Sequence, residues 1–460
     1  MSAAEGEAGP LANAAGGGAA NPAPSGAESR DLERRVAELE ALVARLQAEL
    51  ERLRAVGAAG GTGESAGPAE LERRIEALAL EIERLRIGEA AAPHQGEPVP
   101  GFGPAASKVY RARKGVSIGG YGEALYQNFD DRTDDGQPSG ATAEADLERA
   151  VFYLGYKFND RLLFNSELEF EHAVAGEGEK GEVAVEFAYV DFKATRSFGA
   201  RGGLLLVPVG FLNEMHEPPI FHGARRPEVE RVIIPATWSE IGFGVYGDPG
   251  PISYRAYLVT SLDAGGFSAA QGIREGRQEG AEAKAADLAV TARVDYSPVP
   301  GLILGASVFT GKTGQDDPSL GRARVTLWDT HAEWNWRGFH LRGLYTRVGL
   351  GDADRVSLAV GEAVGQRLAG WYGEVAYNLL APKKDTEQEL SPFCRYESLN
   401  TQARVASGFT ADPGNDRRVT TCGLTYKPIP NIAIKVDAQN LSNRSGSAVD
   451  QVNVALGYLF

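Results

Sequence analysis

Several absences limit what this chain of 460 residues can be. No stretch approaches about eighteen consecutive apolar residues, which excludes a transmembrane helix. The two cysteines, Cys394 and Cys422, are too few for a disulfide framework and show no metal-ligand spacing. Basic residues are outnumbered, with 47 Lys+Arg against 62 Asp+Glu and a net charge of -15, which argues against a nucleic-acid partner.

The first hundred residues predict helices that associate with one another. Residues 1–28 are rich in Ala, Gly and Pro and are predicted to be disordered. Over residues 29–87 the pattern becomes an a/d seam of period 3.5, in two segments, 31–54 and 69–87, with a Gly-rich break at 57–68. The seam consists of Leu32, Val36, Leu39, Val43, Leu46, Leu50 and Leu53, followed by Leu71, Ile75, Leu78, Ile82 and Leu85. An amphipathic helix packed on a globular core is the alternative, but the strict spacing favours a coiled coil. Residues 88–114, with several prolines, are predicted to be an extended linker.

From residue 115 to residue 460 the apolar residues recur with period two, which is typical of strands. Residues 432–439, for example, alternate an apolar face with a face of Lys, Asp and Gln. Alternation alone also fits a soluble sandwich, but here seven short connections alternate with eight long polar ones. This order predicts an all-β fold, a 16-stranded antiparallel transmembrane β-barrel, with both barrel ends on the periplasmic side. The mean hydropathy of -0.25 agrees, because a barrel exposes only alternate residues to lipid.

The last strand supports a barrel as well. Its apolar face carries Val454, Leu456, Tyr458 and Phe460, the last residue. In a barrel this strand pairs with the first one, whereas in a soluble protein it would leave an apolar edge. Outer-membrane barrels end in this way, and the segment resembles the signal read by their assembly machinery. The N-terminus, Met1-Ser-Ala-Ala-Glu, has no signal peptide, so we expect the chain to be a mature form.

Three segments of the barrel resemble the phosphate-selective porin O and P family. They are Gly119-Gly120-Tyr121-Gly122-Glu123, residues 187–192, and the stretch 206–244 with its Arg226-Pro-Glu-Val-Glu-Arg231 run. The resemblance implies a homotrimer of sixteen-stranded barrels, each with its own pore. It also implies that the third long loop, residues 211–238, folds inward as a constriction.

The candidate pore residues lie on this loop and on the polar face of the strands. The loop supplies Arg225, Arg226, Arg231, His216 and His222, and the wall supplies Arg342, Arg395, Lys435, Glu333 and Glu374. Such charges can line a constriction and set its selectivity. The loop charges can equally pair with each other and simply hold the loop folded. Because the wall charges are of mixed sign, no dedicated phosphate site is evident.

Other chemistry finds little support. His216 and His222 with Glu214 and Glu217 match no tetrahedral metal site, so we expect no metal and no cofactor. No Gly-x-Ser-x-Gly elbow appears, which argues against an enzyme. Cys394 and Cys422 are predicted to lie on adjacent strands and to point outward. They can form a cross-strand disulfide or remain two separate small residues.

The sequence therefore predicts an outer-membrane porin that forms a water-filled channel for small hydrophilic solutes or ions, with an anion bias from the loop arginines. Its expected partners are two further copies, membrane lipid and the barrel-assembly machinery. The alternative is a structural anchor whose periplasmic coiled coil tethers the outer membrane to the cell wall.

Overall fold

The structure is a computed structural model that describes residues 26–58, 71–79, 82, 99–112, 114–176, 180–383 and 386–460. The chain divides into two compact units, Met1–Pro93 and His94–Phe460. The predicted disordered segment before residue 26 lies outside the described residues. No helix in the described part of the chain is long and apolar enough to span a bilayer.

The first unit contains the predicted helices. One helix spans Gly26–Ala58, and residues 71–79 are also helical. Within these helices the seam is the covered side, since Val36 and Leu50 are 6% and 7% exposed while the off-seam Leu42 is 42% exposed. Leu39, Val43, Leu46, Leu71, Ile75 and Leu78 are half-buried, and Ile82 is buried. The side chains of Leu32, Leu53 and Leu85 lie outside the described residues. Because these exposures are those of a single chain, other residues of the same chain cover the seam.

The second unit is a closed antiparallel barrel of sixteen strands, which confirms the predicted fold class. Each strand pairs with its neighbours in sequence, and the last pairs with the first, where Gly120 and Phe460 exchange two backbone hydrogen bonds. The strands are β1 Gly115–Phe129, β2 Glu144–Lys157, β3 Leu162–Glu171, β4 Val183–Lys193, β5 Gly199–Leu206, β6 Ser239–Gly247, β7 Ile252–Thr260, β8 Leu288–Tyr296, β9 Leu302–Gly311, β10 Val325–Trp336, β11 Phe339–Leu350, β12 Gly365–Tyr377, β13 Glu389–Val405, β14 Asp416–Ile429, β15 Ile432–Asn443 and β16 Gln451–Leu459.

The connections alternate between short and long as the sequence predicts, with one exception: 378–388, on the short side, is longer than 406–415 and 444–450 on the long side. The short ones are 158–161, 194–198, 248–251, 297–301, 337–338, 378–388 and 430–431. The long ones are 130–143, 172–182, 207–238, 261–287, 312–324, 351–364, 406–415 and 444–450. Short helical turns occur at Lys108–Arg111, Pro218–Ile220, Val229–Ile233, Ala264–Gly266, Arg274–Gly276, Ala353–Val360 and Pro413–Asn415. The third long connection, 207–238, is the longest of the eight and starts four residues before the predicted loop.

The two faces of the wall differ as a membrane barrel requires. On β15, Ile434 and Val436 face outward and are 41% and 45% exposed, whereas Lys435 faces inward and is fully buried. Around the tight 337–338 turn, aromatic rings cover the outer surface: Trp334, Trp336, Phe339 and Tyr377 contact one another in a row. This arrangement is typical of an apolar belt edged by aromatic residues at the membrane interface.

A disulfide joins two outer-face positions of the wall. Cys394 on β13 lies directly opposite Cys422 on β14, and the two are bonded. Of the two arrangements that the sequence left open, the cross-strand disulfide is the one present.

Candidate functional site

The third long loop, residues 207–238, lies inside the barrel. It makes hydrogen bonds to strands on opposite sides of the wall, which only an internal position allows. The bonds are Gly210 N to Asp329 on β10 (3.1 Å), Val229 N to Glu397 on β13 (3.1 Å), Ala224 N to Asp437 on β15, His216 to Glu167 on β3 (3.0 Å) and Tyr372 on β12 to Glu230 (2.6 Å). The loop thus spans the interior from wall to wall.

Apolar residues of the loop form a core at the centre of the barrel. Phe211, Leu212, Val229, Ile233 and Trp238 are all buried. They join one hydrophobic cluster with wall residues such as Phe309, Leu327 and Leu399. A carboxylate fixes one bend of the loop, because Glu230 accepts hydrogen bonds from the backbone amides of Phe211 and Leu212 at 2.6 and 2.8 Å. The interior at this level is therefore packed like a protein core.

Residues 99–112, the end of the predicted linker, also lie inside the barrel. They are not extended: Phe102, Ala105 and Ala106 are buried, and a helical turn follows at Lys108–Arg111. The segment contacts the wall, since Asn165 donates to the Ala106 carbonyl (3.1 Å). The interpretation of the whole stretch 88–114 as a linker does not describe these residues. Its prolines suggested extended chain, but the apolar residues between them find partners in the barrel.

Glu217 connects this segment to the loop. Its Oε1 accepts hydrogen bonds from the backbone amides of Ala105 and Ala106, both at 3.0 Å. Burial raises the pKa of the Glu217 carboxyl to about 7, although the two amides favour the ionised form. A cavity of about 10 Å³ beside Phe102 and Glu214 has room for about one water. Loop and segment together form one internal body, which we call the plug (residues 99–112 and 207–238).

The inner wall is strongly charged, and its buried arginines are paired with carboxylates. Arg395 reaches Glu374 at 3.1 Å and Glu397 at 2.9 Å, and Arg342 reaches Glu333 at 2.6 Å. The other buried wall arginines also lie within 4 Å of carboxylates: Arg149 of Glu123, Glu148 and Glu169, Arg201 of Asp191, Arg255 of Glu214 and Asp295, and Arg293 of the same two. Lys435 lies over the ring of Phe221 at 3.6 Å.

The loop residues proposed from the sequence fall into two groups. Arg231 pairs with Glu228 of the same loop at 2.8 Å, as the alternative interpretation of the loop predicts. Arg225 and Arg226 make no ion pair within 4 Å to a carboxylate of the described residues. Arg226 donates to the His216 carbonyl at 3.3 Å, and Arg225 is half-buried.

The four residues considered as metal ligands do not meet in one place. His216 bonds Glu167, Glu214 lies 3.0 Å from Arg255, and Glu217 binds the backbone of the N-terminal segment. His222 lies elsewhere, beside His340 and Glu374. Burial, reinforced by nearby positive charge, lowers the pKa of His222 well below its usual range.

The sequence does not show which residues hold the plug. Asp329, Glu397 and Asp437 occupy inward positions that alternation identifies, yet only their partners on the loop show what they do. For Glu230 and Phe102 no local signal exists, because each is buried by contacts with residues distant in sequence.

Comparisons with known proteins agree with this fold. No family model matches the chain. Among solved structures, OmpF of Salmonella typhi in complex with daunomycin superposes with a TM-score of 0.52 at 13% identity, over 75% of this chain and 98% of that one. An anion-selective porin from Comamonas acidovorans gives a TM-score of 0.48 at 12% identity, over 76% of this chain and 100% of that one.

A relative in sequence is far closer. An uncharacterized protein of Aquifex aeolicus (strain VF5) is 42% identical over 385 residues, which is 81% of this chain and 86% of the relative. The chain therefore belongs to the same protein family as this Aquifex aeolicus protein, and its barrel has the fold of an outer-membrane porin.

Proposed function

We propose that the protein is an outer-membrane channel for small hydrophilic solutes, and that the plug closes it in the state described here. The charged inner wall is the observation that carries the proposal. Burying ion pairs costs desolvation energy that an apolar filling would avoid, so an anchor alone gains nothing from them. A conducting channel needs a polar lining, and sixteen strands enclose room for water once the plug moves. A channel passes solutes without chemical change, so the proposed function involves no catalytic residue.

We propose that the loop arginines set the ion selectivity of the open channel. The wall arginines are neutralised by carboxylates, so they add little net field. Arg225 and Arg226 have no such partner among the described residues and favour anions, of which phosphate is one. Single-channel reversal potentials in asymmetric salt test the sign, and Arg225→Gln with Arg226→Gln should shift the reversal potential towards cation preference. An unchanged potential would remove the anion bias from the proposal.

Two glycine positions on the wall test the plug itself. A Cβ built at Gly457 on β16 would lie 2.4 Å from Cβ of Pro218, and one at Gly155 on β2 would lie 2.5 Å from Cβ of Val109. Gly457→Val should therefore displace the loop, and Gly155→Val the N-terminal segment. At Gly373, an outward position, a Cβ meets nothing within 4 Å, so Gly373→Val is the matched control.

Planar-bilayer recordings give the result. We expect rare openings for the original chain and for Gly373→Val, and frequent openings for one or both of the other variants. Folding of each barrel is checked by its heat-modifiable migration on gels. A folded Gly457→Val and a folded Gly155→Val that never conduct would rule out the channel. An original chain that conducts steadily would rule out the plug.

The assembly is part of the same proposal. We propose a homotrimer of barrels inserted by the barrel-assembly machinery through the strand that ends at Phe460. The helices of residues 29–87 then lie in the periplasm as a coiled coil, on the side of both barrel ends. Cross-linking of the native protein should give a band of three chains.

The alternative function is a tether between the envelope layers, and the helical unit with its covered apolar seam favours it. Deleting residues 1–93 removes only that unit and spares the plug. If the tether operates, the deletion should detach the outer membrane from the cell wall while conductance stays unchanged. Intact envelopes after the deletion would exclude the tether.

A further inference from the structure

His222, His340 and Glu374 form a cluster inside the barrel. His222 belongs to the loop, whereas His340 lies on β11 and Glu374 on β12. One ring nitrogen of each histidine and one carboxylate oxygen of Glu374 lie within 4.8 Å of one another. An ion midway between two atoms 4.8 Å apart would lie about 2.4 Å from each, so one small cation contacts all three at bond lengths of about 2 Å once the side chains close by a few tenths of an ångström.

Two atoms of the cluster are buried without a hydrogen-bond partner among the described residues. They are Nδ1 of His340 and Oε1 of Glu374, 3.8 Å apart, on side chains that are 15% and 2% exposed. An unsatisfied buried polar atom costs about 1–3 kcal/mol. Two such atoms that face each other across this distance indicate that a ligand belongs between them.

The other polar atoms of the same side chains are already held. Nδ1 of His222 lies 3.2 Å from the Thr425 hydroxyl, and Oε2 of Glu374 accepts from Arg395 at 3.1 Å. Nε2 of His340 faces a carboxylate oxygen of Glu333 at 3.6 Å. Metal-binding histidines and carboxylates in proteins are oriented in this way by partners on their second atom.

Two other buried histidines show the contrast. His216 has Nδ1 on the Asn213 carbonyl and Nε2 on Glu167, both at 3.0 Å. His331 has its two nitrogens on Asp329 and Asp295, at 2.6 and 2.9 Å. Both nitrogens of each ring are occupied, so neither histidine offers a ligand atom. The availability of His340 Nδ1 is therefore not a general property of the buried histidines described here.

Three positive charges near the cluster are paired with carboxylates, and a fourth, Lys435, has no ion pair within 4 Å among the described residues and lies over the ring of Phe221. Arg342 pairs with Glu333 at 2.6 Å, Lys427 with Glu389 at 3.2 Å and Arg395 with Glu397 at 2.9 Å. Lys435 alone of these four opposes a cation at the cluster, and the Glu374 carboxylate, which interacts with it, offsets that charge.

We propose that His222, His340 and Glu374 bind one divalent late first-row transition metal, with Zn²⁺ as the physiological type. Two imidazoles and one carboxylate suit this class of ion, and three protein ligands leave a fourth position for water or a solute. Since His222 comes from the loop and the other two from the wall, the ion holds the plug against the barrel.

The first experiment measures binding directly and does not depend on conduction. Equilibrium dialysis of the purified full-length protein in detergent, with Zn²⁺ alone as the probe, should give one tight site per chain. His340→Gln and His222→Gln should each weaken it by more than about 100-fold, beyond the 10–100-fold typical of an outer-shell change. Thr425→Val, which removes only the orienting hydroxyl, should weaken it about 10-fold. His172→Gln, at a half-exposed loop histidine paired with Asp146, is the control and should bind normally.

The second experiment reports the geometry. Co²⁺ substituted for Zn²⁺ should give the intense visible spectrum of a four-coordinate ion, and Glu374→Gln should abolish it. Heat-modifiable migration on gels checks independently that this variant is folded. Equal Zn²⁺ affinity in the original chain and all ligand variants, or a weak six-coordinate spectrum, would overturn the site.

A final measurement tests whether metal binding holds the plug in place, and it rests on the proposed channel function. Zn²⁺ should reduce the open time of the Gly457→Val channel, and His340→Gln in the same background should remove this block. Binding without block would leave the metal site standing and contradict its role in holding the loop.

Discussion

The two faces of the barrel wall follow from different causes, although the same strands provide both. Along β15 one residue in two faces lipid and the next faces the plug, so Val436 is 45% exposed beside a fully buried Lys435. The outer face contacts lipid, in which any apolar side chain is favourable. The inner face contacts specific partners, because a buried charge there needs a counter-charge, a hydrogen bond or, as for Lys435, the face of an aromatic ring. Composition therefore determines the outer face, and individual contacts determine the inner one.

Breaking an inner contact should have the largest effect. Arg395→Leu leaves Glu374 and Glu397 buried without their shared counter-charge, and we expect a loss of about 3–5 kcal/mol in the free energy of unfolding. Guanidinium unfolding in detergent measures it. The double variant Arg395→Leu with Glu397→Leu should recover part of the loss, because one orphan carboxylate is gone. Equal instability in both variants would show that packing, and not charge, decides the inner face.

A charge on the outer face should cost somewhat less. Val436→Arg places a guanidinium against lipid next to the tolerated Lys435, and we expect a loss of about 2–4 kcal/mol near the bilayer midplane. Val436→Leu, which keeps the face apolar, should be close to neutral. Unfolding from lipid vesicles gives both values. If Val436→Arg were as stable as Val436→Leu, the outward orientation of this position would be wrong.

The smallest effect is a pH dependence of the plug. The pKa of Glu217 is about 7 in the folded state and 4.5 as its ordinary value. The folded protein therefore retains a proton that the unfolded chain releases between these values. Stability should fall as the pH rises from 4.5 to 7, by up to about 3 kcal/mol and then no further.

Glu217→Gln tests this origin. The amide imitates the protonated carboxyl and still accepts from the Ala105 and Ala106 amides, so this contribution to the pH dependence should disappear. Guanidinium midpoints at pH 5 and pH 8 measure the change. Glu275→Gln, on a partly exposed loop side chain, is the control and should keep the original dependence. A Glu217→Gln variant that still loses stability over the same interval would place the titrating group elsewhere.

The extent of prediction from sequence differs between wall and plug. The sequence predicts sixteen strands because lipid imposes period two on each of them, and it predicts the connections from the polar segments between them. Loop 211–238 was identified by its length and by resemblance, but its contacts were not. The prolines of residues 88–114 predict extended chain, whereas Phe102 is buried against Tyr110, Phe187 and Tyr189, of which the last two lie on the barrel wall.

The sequence is enough to predict the barrel: the number of strands, their alternation, the closing strand that ends at Phe460, and the helices before it. Each of these is a local pattern that repeats along the chain. In the barrel strands, lipid favours an apolar side chain at every second residue, so the pattern appears directly in the sequence. The tertiary structure alone decided what fills the barrel. Glu217 meets Ala105 across 112 positions of sequence, and His222 meets His340 across 118. Contacts at such separations follow from how the chain closes in space, and no local spacing records them.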